Sequence, residues 1–441
     1  MLAVVLSGLV VLATACSSDS GDEPSASDET TSSETSTAPA ETSGLLADDG
    51  PCDPGLEPYP LGIMTVFESP VLSLLDQVQA AEASVEAFNG RGGVGGHCME
   101  LTTCDTQLDQ DGEVRVRPRV RRRRHRRHRQ RHHGRQPVGG HRARDRCRHP
   151  PASASARLGG ARRGELVSDR RQARVGATII QAPTLTRAGH TEIADRPRRH
   201  GGVRGPAAAD GTDARGLRRR LTRTIPVPAG TTDFQQFVLA AEDSGATGVM
   251  LALGEAEAFQ IIDAAEQLGS DLAFAASLGT YAQADAEALG DFASQMAFSS
   301  EVPPVTASQD EWPILADVIA DLSASGEAEL QADQIKASAF RSWLAVYALV
   351  QVVEEFGAPD DVSRDAITAA FDTATDVDFH GVIPPWTPSS GTDEGLFGSV
   401  SNPFYYQISF DPDDGDFVIA DEQIDIVEEF AGNLDYPQPG G

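Results

Sequence analysis

Side chains able to do covalent or metal chemistry are few in this 441-residue chain. Of ten histidines, eight fall between His125 and His200, inside an arginine-rich stretch; only His97 and His380 stand outside it. Each of these two is alone, and a lone histidine is more often a surface or core residue than a base. Outside the arginine-rich stretch there is no CxxC or HxxxH spacing, so no metal is expected. No nucleophile motif is present, no cofactor is expected, and no residue is assigned a catalytic role. Binding is therefore the stronger class of function, and an enzyme the weaker.

Charge divides the chain sharply. The formal net charge is −30, yet 32 of the 35 arginines lie between Arg115 and Arg223. Against seven acids there, that block carries a formal +25, which leaves −55 for everything else. An overall acidic chain is a poor nucleic-acid binder, and no nucleic-acid partner is expected.

The N-terminus indicates export. Leu2 to Ala15 is an apolar run that ends Leu12-Ala13-Thr14-Ala15-Cys16. Spanning a bilayer takes about 20 apolar residues, so this run is too short. Small residues before a cysteine resemble the lipobox of bacterial lipoproteins, which makes Cys16 the expected lipidation site. Ala13 departs from the motif, and no basic residue precedes the run, as a start codon placed too far downstream would explain. Residues 17–56 read as an acidic Ser/Thr-rich tether that cannot bury enough apolar area to fold.

Leu61 to Phe67 reads as a buried strand. Ser69 then looks like an N-cap with Pro70 at the first helical position. Val71, Leu74, Leu75, Val78, Ala81, Val85 and Phe88 follow at helical spacing, and Asn89-Gly90 ends the helix. A second strand runs from Met99 to Thr103. Strand, helix, strand in this order is a βαβ unit with parallel strands. The glycines from Gly90 to Gly96 follow a helix and precede a strand, so they read as a turn and not as a phosphate cradle. Cys98 and Cys104 bracket the second strand, about 20 Å apart at ~3.3 Å per residue, beyond disulfide reach. Cys52 lies just before the first strand and Cys98 opens the second, and neighbouring strands allow a Cys52–Cys98 pair in an oxidising compartment.

Ala87-Phe88-Asn89-Gly90-Arg91-Gly92-Gly93-Val94-Gly95-Gly96, then Glu100-Leu101 and Cys104-Asp105-Thr106, resembles type I periplasmic binding proteins, closest to the branched-chain amino-acid group. The second half resembles the same family. Pro228 to Phe234 looks like its entry to a helix. Strands are expected at Gly248–Leu253, Leu272–Ala276 and Gln295–Ser299, with a helix at Ala256–Leu268. A long helix from about Gln334 to Phe356 resembles the one on which the family's chain returns to its first lobe. Asn402–Tyr406 and Phe417–Ile419 read as late strands. The resemblance implies an α/β, two-lobed fold, each lobe a parallel sheet flanked by helices, with the first lobe incomplete as written. The expected layout is signal peptide and lipobox 1–16, tether 17–56, start of the first lobe 57–110, anomalous segment 111–223, second lobe 224–303, return to the first lobe 304–390, and C-terminal strands and tail 391–441.

The anomalous segment shows none of the loops the resemblance calls for. Three readings compete: an Arg-rich nucleic-acid-binding insert, a disordered basic loop, and a frameshift in a GC-rich gene. The insert has no aromatic residue for base stacking in its Arg121–His133 run. With His as CAC and Arg as CGG, CGT or CGC, the stretch from His125 to His133 shifted by one base can read Thr-Gly-Val-Thr-Gly-Ser-Ala-Thr, a strand and Gly-Ser loop of the expected kind. Frameshift is the favoured reading, and Cys104 would then have lost its partner to it.

By resemblance the mechanism is hinge closure around a solute, with no turnover. Ligand groups would meet loops at the carboxyl ends of strands. Those loops are Glu68-Ser69, Gly254-Glu255 and Thr280-Tyr281. The family places an aromatic where Gly254-Glu255 stands, and an acid in the loop that here is Ser277-Leu278-Gly279-Thr280-Tyr281. These departures leave an amide, a short peptide or another small polar solute as open as a branched-chain amino acid. The implied partners are a small solute, the permease of an ABC transporter, and the outer face of a bacterial membrane through the lipid. The alternative is a ligand-sensing receptor domain without a transport role, or an inactive frameshifted copy. A sensor usually continues into a transmembrane helix, and this chain ends at Gly441 without one. The frameshift reading predicts that a nucleotide read across codons 105–230 contains single-base shifts that restore one frame with Gly-Ser and Thr loops; a continuous Arg-rich frame contradicts it.

Overall fold

The structure is a computed structural model that describes residues 45–67, 73–106, 180–190, 192–195, 198–199, 221–228, 230–251, 253, 255–390, 401–419 and 423–426. Cys16, the tether up to residue 44 and most of the anomalous segment lie outside the described residues.

The first lobe is built from β1 (Tyr59–Thr65), α1 (Leu75–Gly90) and β2 (Met99–Asp105). β1 and β2 pair in parallel without a break, from Tyr59 opposite Met99 to Thr65 opposite Asp105. Parallel neighbours need a crossover, and α1 supplies it. Its N-cap is Leu74, with no side-chain cap, and not Ser69. The entry is fixed instead by Leu74 N–H donating to the Val66 carbonyl (2.8 Å) and Ser73 Oγ to the Phe67 carbonyl (3.0 Å).

At the other end Asn89 pins the next strand. Its Oδ1 accepts from Met99 N–H (2.8 Å) and its Nδ2 donates to the Met99 carbonyl (3.0 Å). The turn that follows needs glycine for two reasons. Gly93 sits at φ +71°, and a Cβ there would lie 2.0 Å from the His97 carbonyl oxygen. Gly95, at φ +56°, would drive a Cβ to 2.3 Å from Pro359 Cβ. Cys52 and Cys98 are joined in a disulfide, Cα to Cα 5.1 Å. Cys104 is disulfide-bonded too, which corrects the expectation that it had lost its partner.

The second lobe comprises α2 (Gln181–Arg187), β3 (Ile193–Asp195), β4 (Arg198–Arg199), β5 (Leu221–Thr224), β6 (Val227–Pro228), α3 (Gln235–Glu242), β7 (Gly248–Met250), α4 (Glu255–Leu268), β8 (Ala273–Ser277), α5 (Gln283–Ala288) and β9 (Met296–Ser300). The chain then builds α6 (Ile314–Ser323), α7 (Ala337–Phe356) and α8 (Arg364–Thr373). It ends in β10 (Phe404–Asp411), β11 (Asp416–Ile419) and β12 (Ile424–Asp425). The main sheet runs in the order β11-β10-β9-β8-β7-β3-β5, with β12 also on β10. From β5 to β9 the pairing is parallel; β10 joins β9 and β11 antiparallel. The strands expected near residues 250, 274, 297, 406 and 418 are all present.

The anomalous segment is not bare. Leu185 of α2 and Ile193 of β3 are fully buried and cluster with Met250, Ala273 and Ala275. Leu185 packs directly on Gly248, where a Cβ would meet its methyl carbons at 3.2 and 3.3 Å. A few apolar residues within the Arg-rich sequence are thus enough to extend the sheet beyond β7.

The chain leaves this sheet after Ser300 and lays α6 and α7 against α1. Phe88 of α1 meets Trp343 at 5.4 Å between ring centroids, and Trp343 stacks on Tyr347 at 5.5 Å. Beside the rings, Arg91 grips Asp321 of α6 through both terminal guanidinium nitrogens, and Trp343 Nε1 donates to the same carboxylate at 2.8 Å. Asp321 is only 5 % exposed, so these partners offset the cost of burying a carboxylate there.

Candidate ligand-binding site

One helical turn, from Ala337 to Arg341, bonds to both lobes. Residues at i and i+4 share a helix face. Ala337 N–H reaches the Leu278 carbonyl (3.4 Å) in the loop after β8, and Arg341 Nη1 donates to Glu301 Oε2 (2.6 Å) just after β9. Ser338 is turned to the first lobe, and its hydroxyl donates to the Asp76 carboxylate in the first turn of α1. Arg341 and Glu301 are partly exposed, 30 % and 28 %. The guanidinium also lies against Gly279: a Cβ there would come within 2.7 Å of Arg341 Nη2.

On the first-lobe side the strand ends are tied together. Phe67 N–H donates to Asp105 Oδ1 (3.2 Å), and Thr106 N–H to the Thr65 carbonyl (2.9 Å). Asp76 is almost wholly buried, and burial is the largest influence on it, raising its carboxyl above the usual range. The Ser338 hydroxyl and the Lys336 charge act in the opposite direction.

Of the residues expected at the site, Glu68, Ser69 and Gly254 lie outside the described residues. Glu255 opens α4; its side chain is not described. Thr280 lies in the turn after β8, partly buried, its N–H on the Ser277 carbonyl at 2.9 Å. Tyr281 is 1 % exposed, and its ring packs between Phe259 (5.0 Å) and Phe298 (5.6 Å) in the second-lobe core. Two rings from α4 and β9 close over it, which no local spacing reveals.

Reading by motif missed Arg341, Glu301, Asp76 and Ser338. A compositional signal was there. Outside Arg115–Arg223 the only cations are Arg91, Lys336, Arg341 and Arg364; Arg341 falls within the turn that joins the lobes, and Lys336 directly precedes it. His97 and His380 have structural work: His97 Nδ1 bonds the Glu57 carbonyl (2.8 Å), and His380 Nε2 meets the Tyr347 hydroxyl (3.0 Å). Among the described residues no group of three or more His, Cys, Asp or Glu could hold a metal ion.

Residues 199–394 match the sequence family described as periplasmic binding protein. The chain has the type I periplasmic-binding-protein fold. Among solved structures it is similar to a fatty acid ABC transporter substrate-binding protein from Thermomonospora curvata, with TM-score 0.60, 16 % identity, and coverage of 89 % of this chain and 97 % of that one. It is also similar to a branched-chain amino acid transporter substrate-binding protein from Streptococcus pneumoniae, solved with isoleucine, at TM-score 0.53 and 13 % identity over 83 % and 99 % of the two chains. A solute-binding protein of an ABC transporter from Rhodopseudomonas palustris, solved with p-hydroxybenzoic acid, superposes at TM-score 0.53 and 12 % identity over 84 % and 98 %. No curated protein sequence matches the chain. In this fold the carboxyl ends of the parallel strands form the ligand-binding edge, and the turn Ala337–Arg341 lies against that edge of the second lobe.

Because Asp76 holds its proton more readily folded than unfolded, folding takes up protons, and its contribution to stability is lost as pH rises through the folded pKa. Asp76→Asn removes that cost. Denaturant titrations between about pH 4 and pH 7 should show the variant gaining on the parent as pH rises, starting from near parity at the acid end. A variant that loses ground with rising pH would mean that attraction to Lys336 outweighs burial.

Proposed function

We propose that this chain is the extracytoplasmic solute receptor of an ABC importer, closing its two lobes on an amino-acid-like or amide-like small molecule without chemically changing it. The observation that carries this reading is the turn Ala337–Arg341, which bonds to the strand-end loops of the second lobe and to the first turn of α1. A joint of that kind, within a periplasmic-binding-protein fold, is where closure must be transmitted. Support for a small carboxylate-bearing solute comes from the similar proteins. One is described for fatty acid transport, and two were solved with isoleucine or p-hydroxybenzoic acid.

In this reading Cys16 carries the lipid, residues 17–56 tether the receptor to the outer face of the membrane, and a permease receives the loaded form. The Cys52–Cys98 disulfide fits an oxidising compartment outside the cytoplasm. The composition of residues 17–50, nearly free of large apolar side chains, fits a tether.

A thermal-shift screen of the full chain against amino acids, amides, short peptides and small organic acids tests the proposal. A solute held at about 100 times its Kd adds about 2.7 kcal/mol to stability, so a true ligand should raise Tm by several degrees. The same solute should be recovered unchanged. No shift across the panel, or conversion of the solute to product, contradicts a receptor.

A further inference from the structure

We propose that Arg341 and Glu301 are the charge-reading pair of the solute site: the solute replaces their mutual contact with its own carboxylate on Arg341 and its own ammonium on Glu301. The inference rests on the receptor reading and adds residues and a selection rule to it.

Placement comes first. Glu301 directly follows β9, and Gly279 lies in the loop after β8, so both belong to the carboxyl edge of the parallel sheet, where ligands of such sheets bind. Arg341 enters from α7, which packs on the first lobe, so the pair spans the junction that hinge closure would work on.

The contact is also of a kind that can exchange. It is a single bond, Nη1 to Oε2 at 2.6 Å, between side chains that are about one-third exposed. A guanidinium has five N–H donors, so this geometry leaves donors for a second carboxylate. A partly solvated ion pair is worth little by itself, so a solute that supplies both counter-charges displaces it at small cost. The guanidinium is held in place meanwhile, because it rests on the bare backbone of Gly279.

Charge arithmetic then selects the solute. A carboxylate without an ammonium would satisfy Arg341 and leave Glu301 facing a like charge. An amine without a carboxylate would leave Arg341 unpaired. Only a molecule with both signs answers both residues, and unpaired charge penalises the others.

The test is calorimetric titration of the full chain with six probes: leucine, 4-methylpentanoate, 3-methylbutylamine, phenylalanine, 3-phenylpropanoate and 2-phenylethylamine. Within at least one set of three, the amino acid should bind at least about tenfold more tightly than either singly charged analogue. Arg341→Gln and Glu301→Gln should each weaken that amino acid by about tenfold or more, while Tm moves by only a degree or two, as expected for a partly exposed pair. Should Arg341→Gln fail to fold, Glu301→Gln and the analogue series on the unmodified chain still decide the matter. Analogues that bind as well as the amino acid, variants that bind unchanged, or no binding by any of the six overturns the pair's role. A solute found by the wider thermal screen in that last case would leave the receptor reading standing; an empty screen would remove both.

Discussion

The structure depends on the burial of α7 against α1. A two-stranded parallel sheet such as β1–β2 is not stable alone and needs cover. α7 provides much of it: thirteen of its twenty residues are buried, with Trp343 and Tyr347 stacked beside Phe88. Truncating a buried aromatic of this kind to alanine typically costs roughly 3–5 kcal/mol, a large part of a domain's net stability. The same helix opens with the turn that touches Leu278, Glu301 and Asp76. One element therefore completes the first lobe and sets where the second lobe can lie against it.

Acidity shapes the rest. Of the four cations outside Arg115–Arg223, three stand against an acid in the described structure. Arg91 neutralises the buried Asp321 between α1 and α6. Arg341 meets Glu301, and Lys336 sits where its charge acts on Asp76. The first of these pairs is buried and structural, and leaving Asp321 unpaired would be costly. The Arg341 pair is partly solvated, which makes it cheap to open.

Much of the fold was legible because it rests on local pattern. The 3.6-residue spacing of α1 and of α7, the short apolar runs of β7, β8 and β9, and the Gly-rich turn after Asn89 each declare themselves within a few residues. The entry to α1 was not, because it is fixed by the Leu74 backbone N–H and the Ser73 hydroxyl, each bonding a carbonyl at the end of the preceding strand, with Leu74 at the N-cap. α2 and β3 were hidden by the arginines around them, although Leu185, Ile193 and Ala194 are fully buried. The site was the least legible part. Tyr281 looked available in sequence and is enclosed by rings from α4 and β9. Glu301 and Arg341 are 40 residues apart and meet only through the return of the chain to the first lobe.

Hinge closure around a solute is the central claim, and small-angle X-ray scattering of the full chain tests it most directly. Curves would be recorded without solute and at saturation with the solute that gives the largest thermal shift. The account predicts a smaller radius of gyration and a shorter maximum dimension on saturation, reversed when the solute is dialysed away. Superimposable curves at proven saturation would show that the lobes do not move toward one another, and would contradict it.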